Sequence, residues 1–378
     1  MTKNEIVNLT PYLLEASYFM KILFVNTDIG YGGAEKMIVW LANQCVQNGH
    51  DVTFITYRDG TEMQPLSHLV KHVHMQLEDS GAGLSMFKTV KYFHNIIKKE
   101  KFDVGIAFLS PSILRLAIAA VGTNIKLLFS HRADPYYHAP HKTLKQILFC
   151  RLNNLAFKRA DYYVFQTSVA RAYFGKRIQE CSMVIANPIK PLVRTRERNG
   201  NVEKKIVAVG RLDLKQKRQD ILISAFNILS PKYPDYILEI YGSGEDENRI
   251  KKLADSNSRI KMMGNTNNVA DVIQNAAVFV LSSDFEGIPN ALLEAMSMGV
   301  PCVASDCSPG GAAMLINNKK NGLLVPRNSA EKMAKAICYM LDHPNEAELM
   351  ALEAMTVNEK YSEGKISRLW MRAIAKLA

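Results

Sequence analysis

A chain of 378 residues, 48% hydrophobic and 22% charged, has room for two ordinary domains and lacks the bias of a disordered protein. Its six cysteines, Cys45, Cys150, Cys181, Cys302, Cys307 and Cys338, include no C-x-x-C pair, so neither a disulfide framework nor a zinc site is expected. No apolar run is long enough to span a membrane, and residues 1–19, with Glu5 and Glu15, do not read as a signal peptide; Met20 is a candidate start.

The net charge of +11 is concentrated at one end: residues 1–190 carry +8 and the remainder +3. Strand and helix patterns alternate from the start. A strand KILFVN at 21–26 leads into a glycine loop and a helix over 37–46, and DVTFIT follows at 51–56. Further strands are expected at 103–108, 126–130 and 162–167, the alternation of a parallel sheet covered on both faces. Two stretches, Phe87 to Lys101 and Lys142 to Arg159, place apolar residues at helical spacing with basic residues opposite. That pattern suits an ordinary surface helix, and it also suits contact with an anionic membrane. Nucleic acid is not expected, because the basic residues are not interleaved with an aromatic platform.

Residues 187–201, NPIKPLVRTRERNGN, read as a linker. The alternation then restarts. Strands are expected at 205–210, 236–242, 260–264, 278–283, 301–305 and 322–326, with helices at 220–229, 248–253 and 269–275 among them. The fold class is α/β, two doubly wound parallel-sheet domains facing a cleft, over 20–190 and 201–355, followed by a segment of helical pattern to the end of the chain. In such sheets ligands bind beyond the carboxyl ends of the strands.

Those ends carry the informative residues. After the first strand, DIGYGGAEK contains Gly32 and Gly33 at the start of a helix, a phosphate-cradling turn or a bare structural one. It lacks the third glycine of the dinucleotide fingerprint, which disfavours a dehydrogenase. After the strand at 205–210, GRLDLKQK offers Arg211 and Lys217 as cations for a leaving diphosphate, with Lys215 and Arg218 as rivals. YGSGE supplies Gly242 in a second glycine turn. The stretch SSDFEGIPNALLEAMSMG places Glu286 in a strand-to-helix loop and Glu294 one turn inside the helix that Asn290 opens. Loop and helix amides there suit a diphosphate, and the two carboxylates suit hydroxyls on either side of it. The plain alternative is an acid favouring the helix dipole and a solvated helical glutamate.

GGAE at 32–35, VGRL at 209–212 with Lys217, YGSG at 241–244, SSDFEGIPNALLEAMSMGVPCVASD at 282–306 and NGLLVP at 321–326 together resemble glycosyltransferase family 4. The resemblance covers nearly the whole chain from Met20. It implies the GT-B fold, with a C-terminal helix over 356–378 packing back on the first domain, and retaining transfer of a sugar from a nucleotide diphosphate. It further implies diphosphate binding by Arg211 and Lys217, ribose binding by Glu294, and donor-sugar binding by Glu286. Backbone amides at Gly287, Ile288 and Asn290 would line the pyrophosphate and sugar. One departure is that four residues, where three are common, separate the GRL motif from Lys217. His131, after the strand KLLFS, stands where relatives carry a polar or acidic residue and could orient an acceptor or donor hydroxyl.

The chain has no D-x-D triplet, and no metal or other cofactor is expected. The resemblance is nearest to enzymes of bacterial surface polysaccharides. It implies a UDP-linked hexose or N-acetylhexosamine as donor and an isoprenoid-diphosphate-linked glycan as acceptor. The expected location is cytoplasmic, peripheral to the inner face of the cell membrane. A sugar-nucleotide epimerase of similar fold and a non-catalytic nucleotide-sugar binding protein are the competing readings.

Overall fold

The computed structural model describes residues 19–30, 32–58, 65–75, 82–137, 143–190, 202–266 and 268–378. The first half runs β1 (Lys21–Asn26), α1 (Gly33–Gln47), β2 (Asp51–Thr56), β3 (Lys71–His74), α2 (Ala82–Glu100), β4 (Val104–Ala107), α3 (Ser110–Ala119), β5 (Lys126–His131) and α4 (Leu144–Phe157). It continues through β6 (Tyr162–Phe165), α5 (Ser168–Ala172), α6 (Lys176–Glu180) and β7 (Ser182–Val184). These strands form one sheet in the order β3-β2-β1-β4-β5-β6-β7, with β1 paired in parallel to both β2 and β4.

The second half runs β8 (Glu203–Val209), α7 (Gln219–Leu229), β9 (Ile237–Tyr241), α8 (Glu247–Ala254), β10 (Ile260–Gly264), α9 (Val269–Ile273), β11 (Ala276–Leu281), α10 (Asn290–Ser297) and β12 (Cys302–Ser305). After it come α11 (Gly311–Leu315), β13 (Leu323–Val325), α12 (Ala330–Asp342), α13 (Pro344–Ala354), α14 (Val357–Lys360) and α15 (Glu363–Ala375). Its sheet has the order β10-β9-β8-β11-β12-β13. Both sheets therefore reverse direction of growth at one point, between β1 and β4 in the first and between β8 and β11 in the second. That reversal is the switch point at which doubly wound sheets bind ligands.

Burial explains the strand sequences. Every residue of β11, AAVFVL, is buried, as a central parallel strand with helices on both faces requires. Beneath the second sheet Leu222, Phe226, Leu229, Met333, Ile337 and Met340 of α7 and α12 pack into one core. Each such side chain contributes about 1.5 to 3 kcal/mol on burial.

By contacts the chain divides into two compact units. One is Met1–Ser130 with Thr143–Tyr163 and Trp370–Ala378; the other is His131–Lys142 with Val164–Leu369. In the first, Trp370 is fully buried and stacks on Phe108 with ring centroids 5.5 Å apart.

Two expectations need revision. Residues 187–190, read as the start of a linker, are part of the folded second unit: Asn187 and Ile189 are buried, and the Ile189 amide donates to the Tyr361 carbonyl at 2.8 Å. The rest of that linker, 191–201, lies outside the described residues. The two basic stretches also differ from each other. α2 buries Phe93 and Ile97 and exposes Lys91, Lys98 and Lys99, as expected. In α4 the apolar stripe faces outward: Leu144, Leu148, Leu152 and Leu155 are exposed, while Ala156 and Phe157 turn inward. The helix is set by a capping box, in which Thr143 Oγ1 accepts from the Gln146 amide and the Gln146 side chain accepts from the Thr143 amide.

Candidate active site

The loops that follow β8 and β11 flank the switch point of the second sheet, and the structure laces them together. Asp213 Oδ1 accepts from the amides of Lys215 and Gln216, each at 3.0 Å, folding the first loop into an Asx-type turn. The turn presents Gln216 and Lys217 to the second loop. Gln216 donates to the Phe285 carbonyl at 3.1 Å, its own carbonyl accepts from the Asp284 amide at 2.8 Å, and Ser282 Oγ donates to the Lys217 carbonyl at 2.7 Å.

Glu286 lies at the centre of this seam, with 8% of its surface exposed. One carboxylate oxygen accepts from Lys217 Nζ at 2.5 Å and from Ser283 Oγ at 2.8 Å. A buried carboxylate requires such partners, since an unpaired one would carry a large desolvation cost. Arg211, largely exposed, donates to Gln216 Oε1 at 2.8 Å and to Asp213 at 3.0 Å. Gln216 Nε2 reaches the other Glu286 oxygen at 3.5 Å, which joins Arg211, Gln216, Lys217 and Glu286 into one cluster.

The rival cations are engaged elsewhere. Arg218, in the left-handed backbone region, pairs with Asp220 at 2.9 Å and Asp284 at 3.0 Å, and its Asp220 hydrogen bond raises its pKa. Lys215 lies 5.2 Å from the centre of the Tyr137 ring, which stacks on Phe285. A hydrogen bond to Tyr137 raises the Lys215 pKa.

Gly287 and Ile288 continue the second loop. A Cβ at Gly287 would lie 1.9 Å from Gln166 Oε1, so a larger residue there would displace the Gln166 amide, and Ile288 is buried. The loop is pinned from the other side, where the Glu286 amide donates to the Ser308 carbonyl at 2.7 Å. Asn290 opens α10 behind Pro289, an N-cap with no side-chain acceptor, and no acid stands in the first turn. The helix therefore offers first-turn amides and the positive end of its dipole. Glu294, half-buried, lies four residues beyond Asn290 and so on the same helix face.

Gly242 has φ +138°, and a Cβ there would fall 2.0 Å from the Gly210 carbonyl oxygen. Close approach of the loops after β8 and β9 is sufficient reason for that glycine. Gly32 and Gly33 sit at the N-terminus of α1 in the first unit, where the Glu35 carboxylate folds back against Gly32. That anion disfavours phosphate at the same helix end.

His131 ends β5, with its ring centred 5.3 Å from that of Phe174 and 6.3 Å from that of Phe165. Burial pulls its pKa down to about 4, against smaller opposing effects of the Ala133 backbone and the Asp134 charge. It is a neutral imidazole near pH 7. Burial also raises the Cys307 thiol to about 12, helped by Glu286, which leaves that thiol inert as a nucleophile. Gln216, Gln166 and Asn187 belong to this region and carry no motif signal in the sequence.

Residues 31–191 match the family model for Glycosyltransferase Family 4 and residues 203–343 that for glycosyl transferases group 1. The Escherichia coli O-antigen biosynthesis glycosyltransferase WbnH is 34% identical over 84% of this chain and 88% of its own. A Campylobacter jejuni transferase is 24% identical over 95% of this chain and 99% of its own; its name describes transfer of N-acetylgalactosamine, in α-1,4 linkage, to a glycan on diphosphoundecaprenol. Among solved structures, Anabaena HepE in complex with UDP superposes with a TM-score of 0.75 at 19% identity, covering 94% of this chain and all of that one. The fold is GT-B, and the chain belongs to glycosyltransferase family 4.

Proposed function

We propose that this glycosyltransferase moves a hexose or N-acetylhexosamine, with retention, from a UDP-sugar to a hydroxyl of an isoprenoid-diphosphate-linked glycan, without a metal ion. The observation that carries the reading is the cluster of Arg211, Gln216, Lys217 and Glu286 at the switch point beside the uncapped start of α10. Two cations and a helix N-terminus supply the charge that stabilises a departing nucleoside diphosphate. Glu286, held by Lys217 and Ser283, is assigned a donor-sugar hydroxyl. Glu294, on the Asn290 face of α10, is assigned the ribose. Backbone amides at Gly287, Ile288 and Asn290 are assigned the diphosphate.

In this scheme the leaving phosphate oxygen receives the acceptor proton on one face of the sugar, so no separate general base is needed. His131, neutral at pH 7, orients a hydroxyl by hydrogen bonding. UDP is favoured by the UDP complex of HepE, and a lipid-linked acceptor by the Campylobacter relative. The exposed leucine stripe of α4, with Arg151, Lys158 and Arg159 exposed beside it, supports peripheral contact with an anionic membrane where such an acceptor resides. Among the described residues no helix is long and apolar enough to cross a membrane.

The test is a UDP-release screen of several UDP-sugars against lipid-linked and free glycan acceptors, in buffer with excess EDTA. Acceptor-dependent UDP release and an α-linked product are expected. In the same assay Glu286→Gln should lower kcat more than it raises the donor KM. Sugar interconversion with donor alone would indicate an epimerase, and donor binding without any UDP release a non-catalytic protein.

A further inference from the structure

Asn187, Gln166 and Arg132 are three polar side chains at the carboxyl ends of neighbouring strands. Arg132 follows β5, Gln166 follows β6, and Asn187 lies three residues beyond β7. Asn187 and Gln166 are each only 6% exposed. Arg132 Nη1 donates to Asn187 Oδ1 at 2.8 Å, and Gln166 Nε2 donates to the same oxygen at 3.0 Å. Burial lowers the Arg132 pKa to about 9, still above neutrality, so the guanidinium keeps its charge.

An arginine side chain only donates, so the Asn187 atom facing it must be oxygen. The Asn187 amide nitrogen is thereby turned to Asn290, whose Oδ1 it reaches at 2.7 Å. With its carbonyl oxygen engaged in this way, the Asn290 side chain has N–H donors left to offer at the start of α10. The same logic fixes Gln166: its nitrogen faces Asn187, so its oxygen faces Gly287, at the place a Cβ would fill. One buried cation thus sets the polarity of three amides that end on the two sides of the donor loop.

We propose that Asn187 is a positioning residue for the donor diphosphate, holding the Asn290 amide with its N–H groups available and its oxygen turned away from the anion. The assignment rests on the donor site proposed above. It makes the loop's affinity for anions depend on a residue that touches no substrate.

Asn187→Asp is the discriminating variant, because it keeps the shape and gives Arg132 a stronger partner while removing the amide donor. Asn290 would then turn its nitrogen to the new carboxylate and present its oxygen to the diphosphate. Calorimetric titration with UDP should show about tenfold weaker binding, in line with loss of a charge-assisted hydrogen bond. The donor KM should rise with kcat less affected, and the melting temperature should be retained. In an Asn290→Ala background the Asn187→Asp change should have little further effect on UDP binding, since the group it reorients is gone. Equal UDP affinity of the wild type and Asn187→Asp would overturn the proposal. So would undiminished effects of Asn187→Asp in the Asn290→Ala background, which would assign Asn187 to general support of the fold. A wild-type protein that fails to bind UDP at all would instead reject the donor site itself.

Discussion

Glu286 shows how one residue can be legible in type and hidden in setting. Its place eight residues before Glu294, after an apolar strand, marked it as a candidate from sequence. Its ion pair with Lys217, across 69 positions of sequence, is a product of the fold. The same limit applies to Gln216, Gln166 and Asn187. Their amides matter through partners that only tertiary structure supplies, and Asn187 stands in a polar, proline-bearing segment that reads as a linker. His131 was legible as a polar residue at a strand end, whereas its burial against Phe174 and Phe165 was not. That burial has a pH consequence. Its folded pKa, about 4, lies below the ordinary 6.5, so the unfolded chain binds the proton more readily in between. The stability it contributes is complete above 6.5 and is lost as pH falls toward 4. Melting temperatures measured across that interval should fall less steeply for His131→Asn than for the wild type, a difference on the order of 3 kcal/mol in stability. Parallel profiles would show that the imidazole is not held neutral by the fold.

Among the elements, the long buried strands and the larger helices were readable because period and burial agree. β11 is apolar throughout, and α7 runs from Gln219 to Leu229 where a helix over 220–229 was expected. β3, KHVH, was missed because an edge strand with two exposed residues carries almost no apolar signal. β7, three residues long, is too short for any period to register. α4 is the element whose pattern was visible and whose orientation was not, since periodicity identifies an apolar stripe without saying what covers it. Its exposed leucines have a direct test in cosedimentation with anionic liposomes. The wild type should pellet at low salt and be released as salt screens the contact. Leu148→Ser with Leu152→Ser should abolish pelleting while changing stability by no more than about 0.5 kcal/mol per site, as exposed substitutions do. Pelleting that survives the double substitution would remove α4 from the membrane contact.

At the scale of the molecule, two sheets with the same reversal of strand order were foreseeable from the repeated strand and helix alternation. The placement of Trp370–Ala378 with the first unit was not derivable from helical periodicity, because it depends on Trp370 finding Phe108 far away in sequence. The switch point of the second sheet is what makes residues from the loops after β8 and β11 neighbours, and the proposed chemistry depends on that adjacency. Isothermal titration of UDP into the wild type, Lys217→Ala and Glu294→Ala proteins tests it most directly. The wild type should bind measurably and each variant at least about tenfold more weakly, the scale of one charge-assisted hydrogen bond. UDP affinity unchanged in both variants would place the donor site away from these two loops.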